Sequence, residues 1–333
     1  MRKRTVARIF FCALLLSQAM VFAQEKKLNH LTISYPSISG AQAALWVAKE
    51  MGIFKKNGLE ADLVYIGGGP RSMAALLSGQ LQIIGTGGNS LVAANLSGAK
   101  DAVMIATTYN TLIFSLMTRA AVKDPKDLKG RSLGVTGFGS LSDFTLRTVL
   151  KKSALDPARD VMIRPMGGYP EILAGMQSGL LDGGMISPPT NLKAQELGFR
   201  ELIDAGSMGI EYAATCYGTT KRFIREQREI VGQFTRALTE AMHRFKTDKT
   251  GSIKIMQQYT KTRDAGVLEE TYRVYALRYL PRAPHPTLNG VQTILDSLID
   301  TIPTAKGAPV ENFVDTSFVQ DLERSGWIAR LYK

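Results

Sequence analysis

The chain has 333 residues, 45% of them hydrophobic and 21% charged, with a formal net charge of +12. That length asks for about two lobes rather than one core, and the composition excludes a disordered, collagenous or coiled-coil chain. No stretch approaches the roughly 18–20 apolar residues of a membrane span, which excludes a polytopic membrane protein.

Arg2, Lys3, Arg4 and Arg8 precede an apolar run from Ile9 to Phe22, and Val21-Phe22-Ala23 ends it with small residues at the −3 and −1 positions. This is the pattern of a secretory signal over residues 1–23, cleaved near Ala23; the run is short for an anchor helix. Its loss takes four cations and no acids, leaving +8. The remaining charge forms no dense basic block. Arg222, Arg225 and Arg228 recur every third residue, the habit of a solvated helix face, so nucleic acid is not expected as a partner. Beyond the leader only Cys216 remains, so no internal disulfide is available and core packing must stabilise the exported chain. Its apolar setting, Tyr212 to Tyr217, marks a buried structural thiol rather than a nucleophile.

In chain order, the apolar run Leu31–Tyr35 reads as a strand. It leads through Ser37-Ile38-Ser39-Gly40 into a helix over 41–49. Leu63–Ile66 is a second strand, followed by Gly67-Gly68-Gly69-Pro70, where proline suits the first turn of a helix. That helix stops at Ser78-Gly79, glycine being a preferred cap, and Leu81–Ile84 follows as a third strand. One hundred residues on, the pattern returns. Strand Ser132–Val135 leads into helix 141–151, and Val161–Ile163 precedes Gly167-Gly168-Tyr169-Pro170; a helix ending at Ser178-Gly179 and strand Leu181–Ile186 complete the copy. Each copy reads as a βαβαβ unit with a parallel sheet, and its uniformly apolar strands suit a sheet covered on both faces.

Val103–Ala106 and Leu112–Thr118 are strand candidates between the copies; Glu201–Asp204 and Ala213–Thr219 mark the way back. Helices are expected over 222–246, 252–260, 266–280, 288–301 and 317–325, the last with Ser317 and Gln320 at capping-box spacing. The expected architecture is α/β and two-lobed. Residues 24–116 plus 217–333 form a discontinuous first lobe and 117–216 the second, with two hinge crossings.

Open α/β sheets bind ligands beyond the carboxyl ends of their strands. The loops there carry the candidate site residues Ser37, Ser39, Gly40, Gly88, Asn89, Thr108, Tyr109, Ser140, Gly168, Tyr169, Ser187 and Pro188. They are rich in glycine and hydroxyls and almost empty of charge. Several run directly into helices, whose free N–H groups and positive dipole ends suit an oxyanion. The ordinary alternative for Ser39, Asn89 or Ser140 taken singly is a helix cap. Phe138, Tyr109 and Tyr169 are candidates for apolar lining.

Enzyme chemistry finds little support. His30, His243 and His285 are scattered without metal-ligand spacing, and Asp143 and Glu171 offer one carboxylate per loop rather than an acid–base pair. Gly85-Thr86-Gly87-Gly88-Asn89-Ser90 only approximates a dinucleotide fingerprint, lacking its third glycine and acidic partner. No catalytic residue, metal or cofactor is expected.

The segment from Ala48 to Leu59 (AKEMGIFKKNGL), the turn Ser78-Gly79-Gln80-Leu81-Gln82, the Asp127–Val135 motif (DLKGRSLGV) and the tail 315–333 resemble the ABC-importer periplasmic solute-binding proteins. The resemblance is to the nitrate/sulfonate/taurine-type cluster, which also contains thiamine-pyrimidine-precursor binders. Gln82 stands where that family usually has aspartate. The resemblance implies a type II periplasmic-binding fold closing on one small solute, a periplasmic location, a monomer, and partnership with a membrane permease and its cytoplasmic ATPase. It places ligand contacts at Ser37, Ser39, Asn89, Ser140 and Ser187. The expected ligand is a small organic anion, sulfonate- or carboxylate-like. Two alternatives stand beside it: a ligand sensor for a receptor kinase, and a pyrimidine-precursor binder or synthase-like enzyme.

Overall fold

The computed structural model describes residues 28–333; the expected signal segment lies outside them. Among the described residues no helix is long and apolar enough to cross a membrane. Strands β1 (Asn29–Tyr35), β2 (Leu59–Tyr65), β3 (Ile83–Thr86) and β4 (Ala102–Thr111) belong to one sheet, with helices α1 (Ala43–Glu50), α2 (Ile53–Lys56), α3 (Gly69–Leu77) and α4 (Gly88–Leu96) between them. The chain then crosses to a second sheet of β5 (Ser115–Thr118), β6 (Ser132–Val135), β7 (Met162–Pro165), β8 (Gly183–Ile186) and β9 (Arg200–Asp204). Helices α5 (Leu141–Lys152), α6 (Tyr169–Ser178) and α7 (Thr190–Glu196) connect these strands, and β10 (Glu211–Thr220) returns to the first sheet.

The strand orders, β2-β1-β3-β10-β4 and β7-β6-β8-β5-β9, superpose position for position. The duplication read from the glycine-rich turns is therefore a duplication of the whole sheet. Within each copy the three repeat strands are parallel. The crossing strands β5 and β10 are antiparallel to their neighbours, because a chain passing the seam enters the next sheet head-on. The sheets are thus mixed. The boundaries drawn at 116/117 and 216/217 fall inside β5 and β10, each of which pairs as one unit with its own sheet.

Both faces of the sheets are covered, as the apolar strands require. The central strands β3, β6 and β8 are buried throughout. In β8 the glycines make room for helix α6: a β-carbon on Gly184 would lie 2.2 Å from Ile172 Cγ2. One core lies between the first sheet, α1 and α9 (Arg228–Thr247), around Trp46, Phe54, Phe234 and Phe245. The other runs unbroken through the hinge segment, from Leu91 and Leu112 to Leu133 and Ile186. Each such large side chain contributes roughly 1.5–3 kcal/mol on burial, which serves a chain whose Cys216 is unpaired.

The carboxyl-terminal region is helical, with three departures from expectation. The helix foreseen over 222–246 breaks at Gln227 (φ −138°, ψ 42°) into α8 (Lys221–Glu226) and α9. The helix foreseen over 266–280 is α11 (Ala265–Tyr272), following α10 (Lys249–Thr260), and continues as a π-helical turn, Arg273–Tyr279. After α12 (Leu288–Leu298), the Ser317–Gln320 capping box does not form; Asp315 accepts from the Ser317 amide (3.0 Å) and hydroxyl (2.6 Å). A carboxylate two residues upstream outcompetes the glutamine amide for the free donors that open α13 (Ser317–Arg324).

Candidate functional site

The carboxyl ends of the two sheets face each other, and the loops after the repeat strands meet across the seam. Gly40 donates its amide to the Pro188 carbonyl (3.1 Å). Ser39 Oγ lies 2.9 Å from Ser187 Oγ, 3.2 Å from the Pro188 carbonyl and 3.0 Å from the Tyr275 hydroxyl. A second set of contacts lies further along the seam, where Asn89 Nδ2 and Ser90 Oγ both donate to the Gly139 carbonyl, at 2.8 and 2.9 Å. The two lobes are therefore joined across the seam by neutral hydrogen bonds.

Between these contacts lies a cavity with about 530 Å³ of atom-free space, mouth included, lined by residues of both lobes. Ser37, Ser39, Gln42, Thr86, Tyr109 and Tyr275 come from the first lobe; Thr136, Ser140, Ser142, Tyr169 and Ser187 come from the second. Ile113 and Phe114, on the hinge crossing, form an apolar wall. None of the lining residues is charged, and twelve carry hydroxyls. Helices α3, α4, α5 and α6 all begin at this cavity, through Gly69, Gly87, Ser140 and Tyr169. Four positive dipole ends therefore face a space lined by uncharged residues of both lobes.

Three phenols are fully buried here. Burial raises Tyr275 to about 12, with the hydroxyls of Ser187 and Ser39 holding the shift back. Burial also raises Tyr169, helped by the neighbouring Tyr275, against hydrogen bonds from Ser187 and Ser37. Tyr109, likewise raised by burial, donates to the Tyr275 backbone carbonyl at 3.3 Å. All three are neutral hydrogen-bonding groups at ordinary pH.

Of the twelve expected site residues, Ser37, Ser39, Tyr109, Ser140, Tyr169 and Ser187 line the cavity. Gly40, Pro188 and Asn89 join the lobes beside it. Thr108 is a sheet residue whose hydroxyl donates to the Thr215 carbonyl (3.2 Å). A β-carbon on Gly88 would lie 2.6 Å from the Ala213 carbonyl oxygen, so Gly88 serves helix packing behind the site. Gly168 caps α6 against Tyr65 and Glu171. Phe138, expected as lining, is 56% exposed and does not reach the cavity. Asp143 accepts from the Gly139 amide and pairs with Arg147 at 2.8 Å, outside the lining.

Tyr275, Gln42 and Ser142 went unforeseen. Ser142 sits two residues past the Ser140 cap and bonds both Ser140 and Thr136 (3.0 Å each). Gln42 stands in the first turns after Ser39 and had a signal, as a polar residue ahead of an apolar helix. Tyr275 had none, because it arrives from a helix 236 residues beyond Ser39. Cys216 is buried in β10 with its thiol donating to the Thr86 carbonyl (3.2 Å), and burial pushes its pKa far up. Among the described residues no group of three or more His, Cys, Asp or Glu is placed to hold a metal.

Two duplicated α/β lobes, linked by two crossings and closed over a cleft at their strand ends, define the type II periplasmic-binding-protein fold. A model of the family described as NMT1/THI5 like matches residues 40–248, more than half of the chain, and the protein belongs to that family. A curated relative, "Putative binding protein YtlA" of Bacillus subtilis (strain 168), is 25% identical over 284 residues, covering 82% of this chain and 84% of that one. Among solved structures, the alkanesulfonate-binding protein SsuA from Xanthomonas axonopodis pv. citri, bound to MOPS, is similar with a TM-score of 0.73. It is 21% identical, over 87% of this chain and 99% of that one. The desulfurization enzyme DSZB shares the fold at a TM-score of 0.66 and 16% identity, over 89% of this chain and 99% of that one.

Proposed function

We propose that this protein is the extracytoplasmic solute-binding component of an ABC importer. It captures a small organic anion between its lobes and delivers it, chemically unchanged, to a membrane permease served by a cytoplasmic ATPase. The observation that carries this reading is the uncharged, hydroxyl-lined cavity at which four helices begin, built from both lobes. Such a site stabilises negative charge by fixed dipoles and neutral donors, each hydrogen bond contributing about 0.5–1.5 kcal/mol net. Because both lobes supply contacts, a ligand favours the closed form by its differential affinity for it. The name of the alkanesulfonate-binding relative agrees with a sulfonate or carboxylate head group.

The same geometry argues against catalysis. The one cysteine of the described region faces a backbone carbonyl inside the sheet, and no carboxylate, histidine or lysine lines the cavity to move a proton. Calorimetry and thermal shift over alkanesulfonates, carboxylates, nitrate and pyrimidines test this reading, since a ligand held by the folded state raises its melting point. Recovery of the bound molecule unaltered by mass spectrometry is the expected result. A chemically changed product, or silence from every anion, would refute it.

A further inference from the structure

Gln42 is 2% exposed and is the one amide side chain lining the cavity. Its Nε2 donates to Ser37 Oγ at 3.3 Å, while its Oε1 is buried with no partner. An orphaned buried acceptor costs the folded state unless something fills it. With the amide nitrogen donating to Ser37, the oxygen is the atom left free to accept.

The opposite part of the lining has a different character. Thr136, Ser142 and Ser140 make two mutual links with three hydroxyl protons, leaving one to donate into the cavity at the start of α5. The cavity thus offers donors and a helix dipole from the second lobe, and an unfilled acceptor from the first. It offers no carboxylate to balance an ammonium group.

Resting on the anion-capture reading above, we propose that Gln42 determines specificity by accepting a hydrogen bond from a neutral donor on the ligand. The ligand class is then a small bifunctional anion: one oxyanion head and one hydroxyl or amide N–H. Bare inorganic anions and plain alkyl anions leave Oε1 unfilled, and amino-alkyl anions bring a cation with no counter-charge.

The probes are matched sets: ethanesulfonate, isethionate and taurine, and propionate, lactate and β-alanine, titrated by calorimetry. Wild-type protein is expected to bind the hydroxylated member of at least one set tenfold or more tighter than both its relatives. Gln42→Met should erase that preference. Equal binding of all members within both sets by wild-type protein would overturn the inference while leaving anion capture intact. A preference that persists in Gln42→Met would do the same. Absence of binding by every member would overturn both. The wild-type comparison stands even if a variant fails to fold.

Discussion

Gly67 and Gly167, one hundred residues apart and equivalent in the two copies, touch across the seam: a β-carbon on Gly67 would lie 2.4 Å from the Gly167 carbonyl oxygen. The repeat's glycine-rich turns are therefore the surfaces on which the lobes meet. Gly167 also holds a φ of +97°, which a side chain would strain. At Gly67 the obstacle is the partner lobe rather than the backbone.

Gly67→Ala should consequently obstruct closing without unfolding either lobe. Ligand affinity is expected to fall tenfold or more while the melting temperature of the free protein changes little. X-ray scattering should show a particle that stays expanded when ligand is added. A variant that closes normally would show that the seam yields.

Ser39 and Ser140 separate closing from capping. Ser39 joins three groups across the seam, so Ser39→Ala is expected to weaken ligand binding at least tenfold with a small effect on folding. Ser140 caps α5 by accepting from the Asp143 amide (3.3 Å) and also lines the cavity. Ser140→Ala should lose affinity similarly and, in addition, about 1 kcal/mol of stability. Denaturant titration beside calorimetry checks both; unchanged affinity for either variant would remove that residue from the site.

The Asn89 amide reaches Gly139 of the other lobe outside the cavity lining, the geometry expected of a latch across the seam. Its Oδ1 is buried without a partner. Asn89→Ala should loosen the closed form, read as a faster ligand off-rate with little change in which probes bind. A changed ligand preference would place Asn89 in the site instead.

Only phenols among the lining residues can ionise, and burial keeps them protonated, so affinity for a permanently charged sulfonate should be flat between about pH 5 and 9. Stability follows the opposite end of the scale. Tyr275 titrates at about 12 in the folded protein against 10.0 in the ordinary phenol. The unfolded chain therefore ionises first, and the stability this phenol contributes is whole below pH 10 and is lost as pH rises toward 12. Denaturant melts across pH 8 to 12 measure this. A steep affinity change near neutrality would mean that an ionising group enters the cleft.

Much of the fold was legible before any coordinates. The hundred-residue repeat, the Gly-Gly-X-Pro helix starts and the uniformly apolar strands carry two βαβαβ units, because each encodes a local requirement: a turn, a helix entry, a strand buried on both faces. The strand-end loops, and with them Ser37, Ser39, Ser140 and Ser187, follow from the general placement of sites in parallel sheets. Helix breaks such as the one at Gln227 were not legible, since tertiary packing overrides local propensity there.

The sequence by itself determined that there are two alike halves, that their strand ends are polar but uncharged, and that helices begin there. These are consequences of neighbours along the chain. Only the tertiary structure decided which hydroxyls share protons, that Tyr275 closes the network from 236 residues away, that Phe138 faces solvent, and that Gln42 keeps an acceptor unfilled. Proton counts and close approaches depend on distances between segments remote in sequence, and no local pattern encodes those.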